Sequence, residues 1–600
     1  MYNDSSNSFN HKILRKYSTD EKKENGVVFT PPNLADYVAY KLISFYLRDI
    51  STPKLIKTNL KIIDPSCGEG ELLVSVWNKI TNHLDNANLN PINTLCGIDL
   101  DKNSIMRAEQ RVEELNINKR KGQYNFVNTN ALLPKNDSLN IESWRDLKNY
   151  LGVKSGFDLL IANPPWGANT SSYVCLLDKY FTLNKGQFDS SDLFVELAIN
   201  IVKKNGYFAC ILPDSLFSFE HKQLRKLLLE KTEIKYIGRL GERLFGGVNR
   251  ACVVLICKNV KPSKSNPVQC MRLIPKLRNQ ILNNEITFRD AEKSLIHYIP
   301  QERFLRNQDY LFDIDTKVDE SNLIKKIIAS REIIGNYVDS SRGVELSKSG
   351  LICKCNICGF WSPLPAKSET KCKHCGNHFK LDKLQPIKII SKEKFKGSSP
   401  ILVGENLRRY SITSKYWISL SNKGINYKSI SLYFEPKILV RKTGVGITAT
   451  IDYSNSLTNQ VVYIFKPKKN SLFTLPIEFI LAVMNSRIIY YYLLKKYGES
   501  EWRSHPYLTQ SQILKLPLPK ITSEESRKVQ NKIVLLLKPY LEKNIKLPKD
   551  VDAKVEYLIS RLYCLNIDDY RTIYNTLNST QGLIPVRELS AVDIKDIFIH

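Results

Sequence analysis

The sequence predicts an α/β fold: a seven-stranded, mostly parallel sheet sandwiched by helices, joined to a mixed α+β region that carries a small cysteine ribbon. Three observations predict it. Between residues 60 and 257, short apolar β-rich runs alternate with longer amphipathic ones, the spacing of crossover connections. Charge is uneven: residues 1–250 hold 33 basic and 28 acidic side chains, whereas residues 351–450 hold 18 and 5. Of the thirteen cysteines, five crowd between Cys353 and Cys375.

Length and composition set the frame. Six hundred residues exceed a single core. A hydrophobic fraction of 42% with 10% aromatics excludes a mostly disordered chain. No apolar run reaches the roughly 18 residues of a membrane span, and the polar N-terminus up to Thr30 reads as neither signal nor transit peptide. The expectation is a cytoplasmic protein, not membrane-bound. A net charge of +28, from 88 basic and 60 acidic residues, suits a polyanionic partner, although a Lys-rich solvated surface reads the same way.

The predicted strands are Leu60–Asp64, Leu95–Asp99, Tyr124–Asn128, Phe157–Ala162, Tyr207–Leu212, Ile234–Gly238 and Ala251–Cys257. Helical patterns run over Glu69–Asn82, Ser104–Leu115, Asp192–Lys203 and Glu220–Leu229. In such sheets ligands lie beyond the carboxyl ends of the strands. The first strand runs into Asp64-Pro65-Ser66-Cys67-Gly68-Glu69-Gly70, where the glycines allow close backbone approach and Asp64 can accept from an amine. An ordinary strand-to-helix turn reads the same. The second strand ends at Asp99, an acid placed to hold ribose hydroxyls, while Asp101 is a candidate helix cap. The nucleotide signal rests on the pair.

The fourth strand delivers the most specific segment, Asn163-Pro164-Pro165-Trp166-Gly167. The Asn163 side-chain oxygen and the Pro164 carbonyl can each accept from an exocyclic amine. Pro164 and Pro165 fix φ and remove competing donors. Trp166 offers a face on which an extruded base can stack.

Further along, Cys355-x2-Cys358 and Cys372-x2-Cys375 stand 13 residues apart, two knuckles suited to a tetrahedral structural zinc. Cys353 and His374 are spare ligands. The other cysteines read as reduced, buried small hydrophobes.

The chain resembles the gamma class of adenine-N6 DNA methyltransferases of restriction–modification systems, in the branch with a TaqI-type C-terminal specificity domain. Phe29-Thr30-Pro31-Pro32 is similar to the upstream motif that closes over the cofactor's methionine part. The Asp64–Gly70 loop, Asp99 and Asn163–Trp166 follow in the class's order. Asp192-Leu193-Phe194 resembles its strand-five motif, and Phe245 matches the aromatic stacking on the target base's other face. Asn130 stands where the class often has an acid contacting the cofactor's adenine, and Trp166 where Tyr or Phe is commoner. In the back half, Val440–Gly444, Asn485-Ser486-Arg487 and Leu516-Pro517-Leu518-Pro519 are similar to the specificity domain.

The resemblance implies a seven-stranded Rossmann-like S-adenosylmethionine methyltransferase domain over residues 1–260 and a connecting segment over 261–345. A DNA target-recognition domain over 346–520, with the zinc ribbon at 353–376, and a C-terminal helical region over 521–600 follow. It implies Thr30, Asp64, Ser66, Gly68, Asp99, Asn130 and Asn163 at the cofactor. Asn163, Pro164, Pro165, Trp166 and Phe245 would stand at a flipped-out adenine of double-stranded DNA. With 28 residues ahead of Phe29, a fused nuclease is not expected, but a separate restriction endonuclease or defence-system subunit is a partner to look for. Two other readings stand beside this one: a methyltransferase for RNA or protein glutamine, and an inactive DNA-binding homologue.

Overall fold

The computed structural model describes residues 29–599 except 50–59, 82–88, 118–121, 154, 170–173, 186–187, 247–249, 264, 318–319, 365–368, 381–384, 435, 469–473, 498–507, 579 and 581–583. The chain divides between Lys317 and Val318 into two compact units.

The first unit opens on α1 (Pro32–Arg48), entered through extended Pro31 with a proline at its first position, where no N–H is needed. There follow β1 (Ile62–Asp64), α2 (Glu71–Thr81), β2 (Leu95–Asp99), α3 (Lys102–Leu115), β3 (Asn125–Asn128) and β4 (Phe157–Ala162). Then come α4 (Ser190–Ile201), β5 (Val202–Pro213), α5 (Lys222–Lys231), β6 (Glu233–Gly241) and β7 (Cys252–Lys258). All seven predicted strands are present. Their order is β3-β2-β1-β4-β5-β7-β6, parallel from β3 to β5, with β7 antiparallel between β5 and β6.

The sheet is wider than predicted. Beyond β6 it gains β8 (Pro267–Arg272), parallel to β6, and β9 (His297–Pro300), antiparallel to β8, making nine strands. Residues 261–345 are therefore not a connector. Their first part completes the sheet and buries Val268, Cys270, Met271 and Ile299 completely. Their last part enters the second unit as a helix (Ser321–Ile328) and a strand, β10 (Val338–Arg342).

Side chains alternate across the sheet as strand geometry requires. Leu160 and Ala162 of β4 join one core, with Phe208, Leu224 and Leu228, and Phe157, before a register shift in the pairing with β5, joins it too. Leu159 and Ile161 join the other, under Leu34, Val38 and Leu73.

In the second unit β10 pairs in the order β10-β13-β11-β12 with β11 (Lys437–Arg441), β12 (Ala449–Asp452) and β13 (Val462–Pro467). This sheet packs on α6 (Ile477–Met484), α7 (Arg487–Tyr497), α8 (Glu524–Glu542) and α9 (Lys549–Leu562). Tyr490, Tyr491 and Tyr492 of α7 are core residues, not exposed base contacts. Among the described residues no single helix is long and apolar enough to cross a membrane; α6 and α7, apolar enough only as a bent pair, are buried in this core.

Arg487 anchors the helices. It is fully buried, donates to Glu556 and Asp552 at 3.0 Å each, and caps the Leu589 carbonyl at 2.7 Å. Arg409 shares Asp552 at 2.7 Å. Replacing Arg487 with Met strands the buried Glu556 carboxylate and leaves Asp552 with Arg409 alone. We expect the second unit to lose about 3–5 kcal/mol, the scale for breaking a buried pair from one side. Denaturant unfolding of the full chain measures it, and unchanged stability would refute this role.

Candidate active site

β1 ends on Asp64, 1% exposed, whose Oδ1 accepts from the Ser66 amide at 2.9 Å and the Ser66 hydroxyl at 3.3 Å. The turn into α2 uses Gly68 at φ +50° and Gly70 at φ +82°. The two glycines differ in purpose. A Cβ on Gly70 would meet the Ala108 Cβ at 3.3 Å, so Gly70 lets α2 close on α3; a Cβ on Gly68 meets nothing within 4 Å, so Gly68 borders open space.

Beside Gly68 stands Asp99, whose Oδ2 accepts from the Gly68 amide and Oδ1 from the Asp101 amide, both at 2.9 Å. Burial pushes the Asp64 carboxyl from an ordinary 3.8 up to about 8, and the charge of Asp99 adds to the rise. Burial also raises Asp99, against the pull of its two backbone donors. Asp101 caps α3, accepting from the Asn103 amide at 3.3 Å and the Ser104 hydroxyl at 2.9 Å. Asn130, after β3, uses its Oδ1 to hold its own turn through the Leu132 amide at 3.0 Å.

β4 ends on Asn163. Its Nδ2 donates to Thr30 Oγ1 at 3.0 Å, joining two predicted motifs 133 residues apart in sequence. The amide of Asn163 is thereby oriented, and its Oδ1 is shielded from solvent.

Trp166 and Phe245 are also brought together, but not as two parallel faces. Their rings meet edge-to-face, 5.3 Å apart and at 88°. Trp166 is 3% exposed, donates its indole N–H to the Ile211 carbonyl at 3.2 Å, and carries the Arg250 guanidinium 5.5 Å from its ring centre. Packing has closed the two rings on each other, and a base between them requires one ring to turn.

Asp192-Leu193-Phe194 lies in α4, within the predicted helical pattern and ahead of β5, and a capping box at Asp189 starts that helix. Asp192 is buried against His221, whose Nδ1 lies 2.8 and 2.9 Å from its two oxygens. Sequence reasoning missed His221, and also Asp189, Ser190 and Arg250, whose side chains bond the backbone of residues 165–168. An acid and a serine at a helix start read only as a cap.

In the second unit the Sγ atoms of Cys355, Cys358, Cys372 and Cys375 all lie within 4.8 Å of one another, two of the separations being 3.7 Å. A tetrahedral zinc with bonds of about 2.3 Å separates its sulfurs by about 3.8 Å. Each knuckle closes on itself: the Gly359 amide donates to the Cys355 carbonyl and the Gly376 amide to the Cys372 carbonyl, both at 3.0 Å. Neither spare ligand joins: Cys353 turns its sulfur to the Ser362 carbonyl at 3.7 Å, and His374 stacks on Phe360 at 3.7 Å.

Residues 8–328 match the family described as N-6 DNA Methylase, more than half of the chain. The chain belongs to the N-6 DNA methylase family. Residues 399–518 match the TaqI-like C-terminal specificity domain, so the four cysteines of this N-6 DNA methylase fall between the two matches. Over 245 residues it is 33% identical to the type II methyltransferase M.BanIII of Aneurinibacillus aneurinilyticus, covering 38% of this chain and 37% of that one. Over 467 residues it is 21% identical to the putative type II restriction enzyme and methyltransferase RM.MjaORFECS2P of Methanocaldococcus jannaschii, covering 75% and 35%. The chain thus spans little more than a third of the length of these two relatives. The structure of the Type IIL restriction-modification enzyme MmeI in complex with DNA shares the fold, with a TM-score of 0.53 at 13% identity over 94% of this chain and 80% of that one.

The Asp64 carboxyl sets a pH signature of the free protein. Between about pH 4 and pH 8 the unfolded chain releases the Asp64 proton while the folded chain keeps it, so Asp64 costs stability as pH rises through this window. We expect the first unit of Asp64→Asn to lose less stability than wild type between pH 5 and pH 8. Parallel denaturation curves for the two proteins would contradict the assignment.

Proposed function

We propose that this N-6 DNA methylase transfers the methyl group of S-adenosylmethionine to N6 of an adenine flipped out of a specific site in double-stranded DNA, within a restriction–modification system. The observation that carries the reading is the Asn163 amide, following β4 and oriented by Thr30, on the sheet edge that also carries Asp64, Asp99 and the open space at Gly68. A buried and a half-buried acid beside glycine-lined open space suit a cationic nucleoside ligand.

Thr30, Asp64, Ser66, Gly68 and Asp99 would hold the methyl donor. Asp99 faces the ribose hydroxyls and Asp64 the positively charged part, while Asn130, with Oδ1 engaged in its turn, contributes at most through its remaining lone pair. Bound S-adenosylmethionine supplies a methyl on a positively charged sulfur, a leaving group good enough that no strong base is needed. Asn163 Oδ1 and the Pro164 carbonyl accept from the adenine amine and orient its lone pair, so this chain contributes chiefly position and electrostatics. The target must leave the helix because its amine is unreachable inside the stack. Trp166 and Phe245 take the extruded base after one ring turns. The names of the relatives support a restriction–modification setting, with a nuclease as partner.

For the second unit the reading is DNA recognition, with a structural zinc on Cys355, Cys358, Cys372 and Cys375. Bound zinc supplies four bonds that stand in for a core this segment is too small to have.

Asn163→Ala is expected to slow methyl transfer by on the order of 10²–10³-fold, the scale for one positioned hydrogen-bonding group at a reacting centre, with S-adenosylmethionine affinity nearly unchanged. Incorporation of labelled methyl into DNA, set beside RNA and protein acceptors, measures it and separates the three substrate classes. Near-normal turnover sinks the role of Asn163; failure of wild type to bind the cofactor by calorimetry sinks the enzyme reading.

Purified protein is expected to hold one zinc ion per chain. Chelation, or Cys372→Ser with Cys375→Ser, should abolish site recognition while cofactor binding by the first unit persists. Elemental analysis and DNA binding test this, and normal recognition without metal would overturn it.

A further inference from the structure

We infer that Ser190, Asp189 and Arg250 are positioning residues that clamp the backbone of residues 165–168 and thereby set where Asn163 and the Pro164 carbonyl stand. The inference rests on the methyl-transfer reading and names side chains that reading does not use.

Pro164 and Pro165 have no N–H, so the start of this loop cannot be knitted by its own amides. The fasteners come from elsewhere. The Ser190 hydroxyl donates to the Pro165 carbonyl at 2.6 Å and accepts from the Ala168 amide at 3.0 Å, bridging both ends of the bend with one oxygen. Asp189 Oδ1 accepts from the Gly167 amide at 3.1 Å. Arg250 donates through Nη1 to the Trp166 carbonyl at 3.2 Å, lies over the Trp166 ring, and keeps Nη2 4.0 Å from Asp189 Oδ2. Four consecutive residues are thus held by three side chains.

The clamp is itself rigid. Asp189 also takes the Ser191 amide at 3.0 Å and hydroxyl at 2.8 Å, which already satisfies the start of α4. Its bond to Gly167 is therefore more than a helix cap requires. Ser190 and Ser191 are buried at 3% and 0%, and Asp192, braced by His221, accepts from the Asp189 amide at 3.4 Å. Displacing a reacting group by about 1 Å can cost about a hundredfold in rate. A loop that cannot hold itself therefore draws its precision from α4 and from the residue leading into β7.

The test uses the full-length protein and two variants, Ser190→Ala and Arg250→Met; the second removes a half-exposed side chain, which spares the fold. The first readout needs no methyl transfer. Fluorotryptophan NMR, with the Trp166 signal assigned through Trp166→Phe, should show one sharp signal in wild type and a broadened or split one in both variants at unchanged Tm. The second is kinetic: kcat should fall ten- to a hundredfold, about the scale of a misplaced group, while KM for S-adenosylmethionine stays within about twofold. A sharp, unshifted Trp166 signal in both variants, or kcat within about twofold of wild type in both, overturns the inference. If wild type transfers no methyl group to DNA, the proposed function fails, and the NMR signal alone still decides for or against the clamp.

Discussion

Parallel neighbours share one direction, so the carboxyl ends of β2, β1 and β4 fall on one edge of the sheet, and what each strand carries past that edge depends on register. Asp64 pairs with Gly97, and Ile63 with Leu160. By that register Asp99 and Asn163 each extend two residues past the level of Asp64, about 6.6 Å at 3.3 Å per residue. A slip of one residue would do more than move Asn163 along the strand. It would turn Asn163 to the opposite face, away from Thr30, and exchange Leu160 and Ile161 between the two cores. The cores on either side of β4 therefore hold the register on which the site geometry depends.

Buried ions are paired in both units, Arg239 with Asp214 in the first for one, and the candidate site is the exception. In the second, Arg487 meets Asp552 and Glu556, and Lys437, fully buried, meets Asp452 at 2.8 Å. In the first, Asp64 and Asp99 stand near each other with no basic side chain at ion-pair distance among the described residues, and both carboxyls are raised. Paired buried charges hold a fold together; like charges left together at an open edge are a cost a folded protein carries where a ligand relieves it. A cationic ligand at Gly68 would restore to Asp64 the charge that burial suppresses.

How much was legible in the sequence follows from how local each signal is. The seven strands were legible because β1 to β7 are apolar runs bounded by turn residues. β8 and β9 were not: Pro267 and Pro300 bound them, polar Gln269 interrupts one, and the other spans four residues. Asp64, Asp99, Asn163 and the four cysteines were legible because each belongs to a short motif that chemistry alone explains. The Asn163–Thr30 bond, joining segments 133 residues apart, was foreshadowed only by their separate motifs. Arg250 and His221 carried no signal, since an arginine ahead of a strand and a histidine ahead of a helix are unremarkable until folding sets them against Trp166 and Asp192. The crossed rings of Trp166 and Phe245 show a further limit: sequence names the partners but not the angle between them.

The basic excess of residues 351–450 also means less than its count. Lys437 is spent inside the unit on Asp452, Arg409 on Asp552, and Lys428 pairs with Glu345, acids that all lie outside that window. What stays available to a polyanion is a smaller, exposed set, including Lys354, Lys373, Lys388, Lys392, Lys394, Lys396, Lys415 and Lys423. Most of these lie on or just after the cysteine knuckles, in the stretch between the two family matches. A phosphate backbone is neutralised by charges that solvent can reach, so the salt dependence of DNA binding should follow these lysines rather than the net charge of the chain. On this account the knuckles' task is to hold an exposed, strongly basic segment in a fixed shape, which a loop of like charges would not keep unaided.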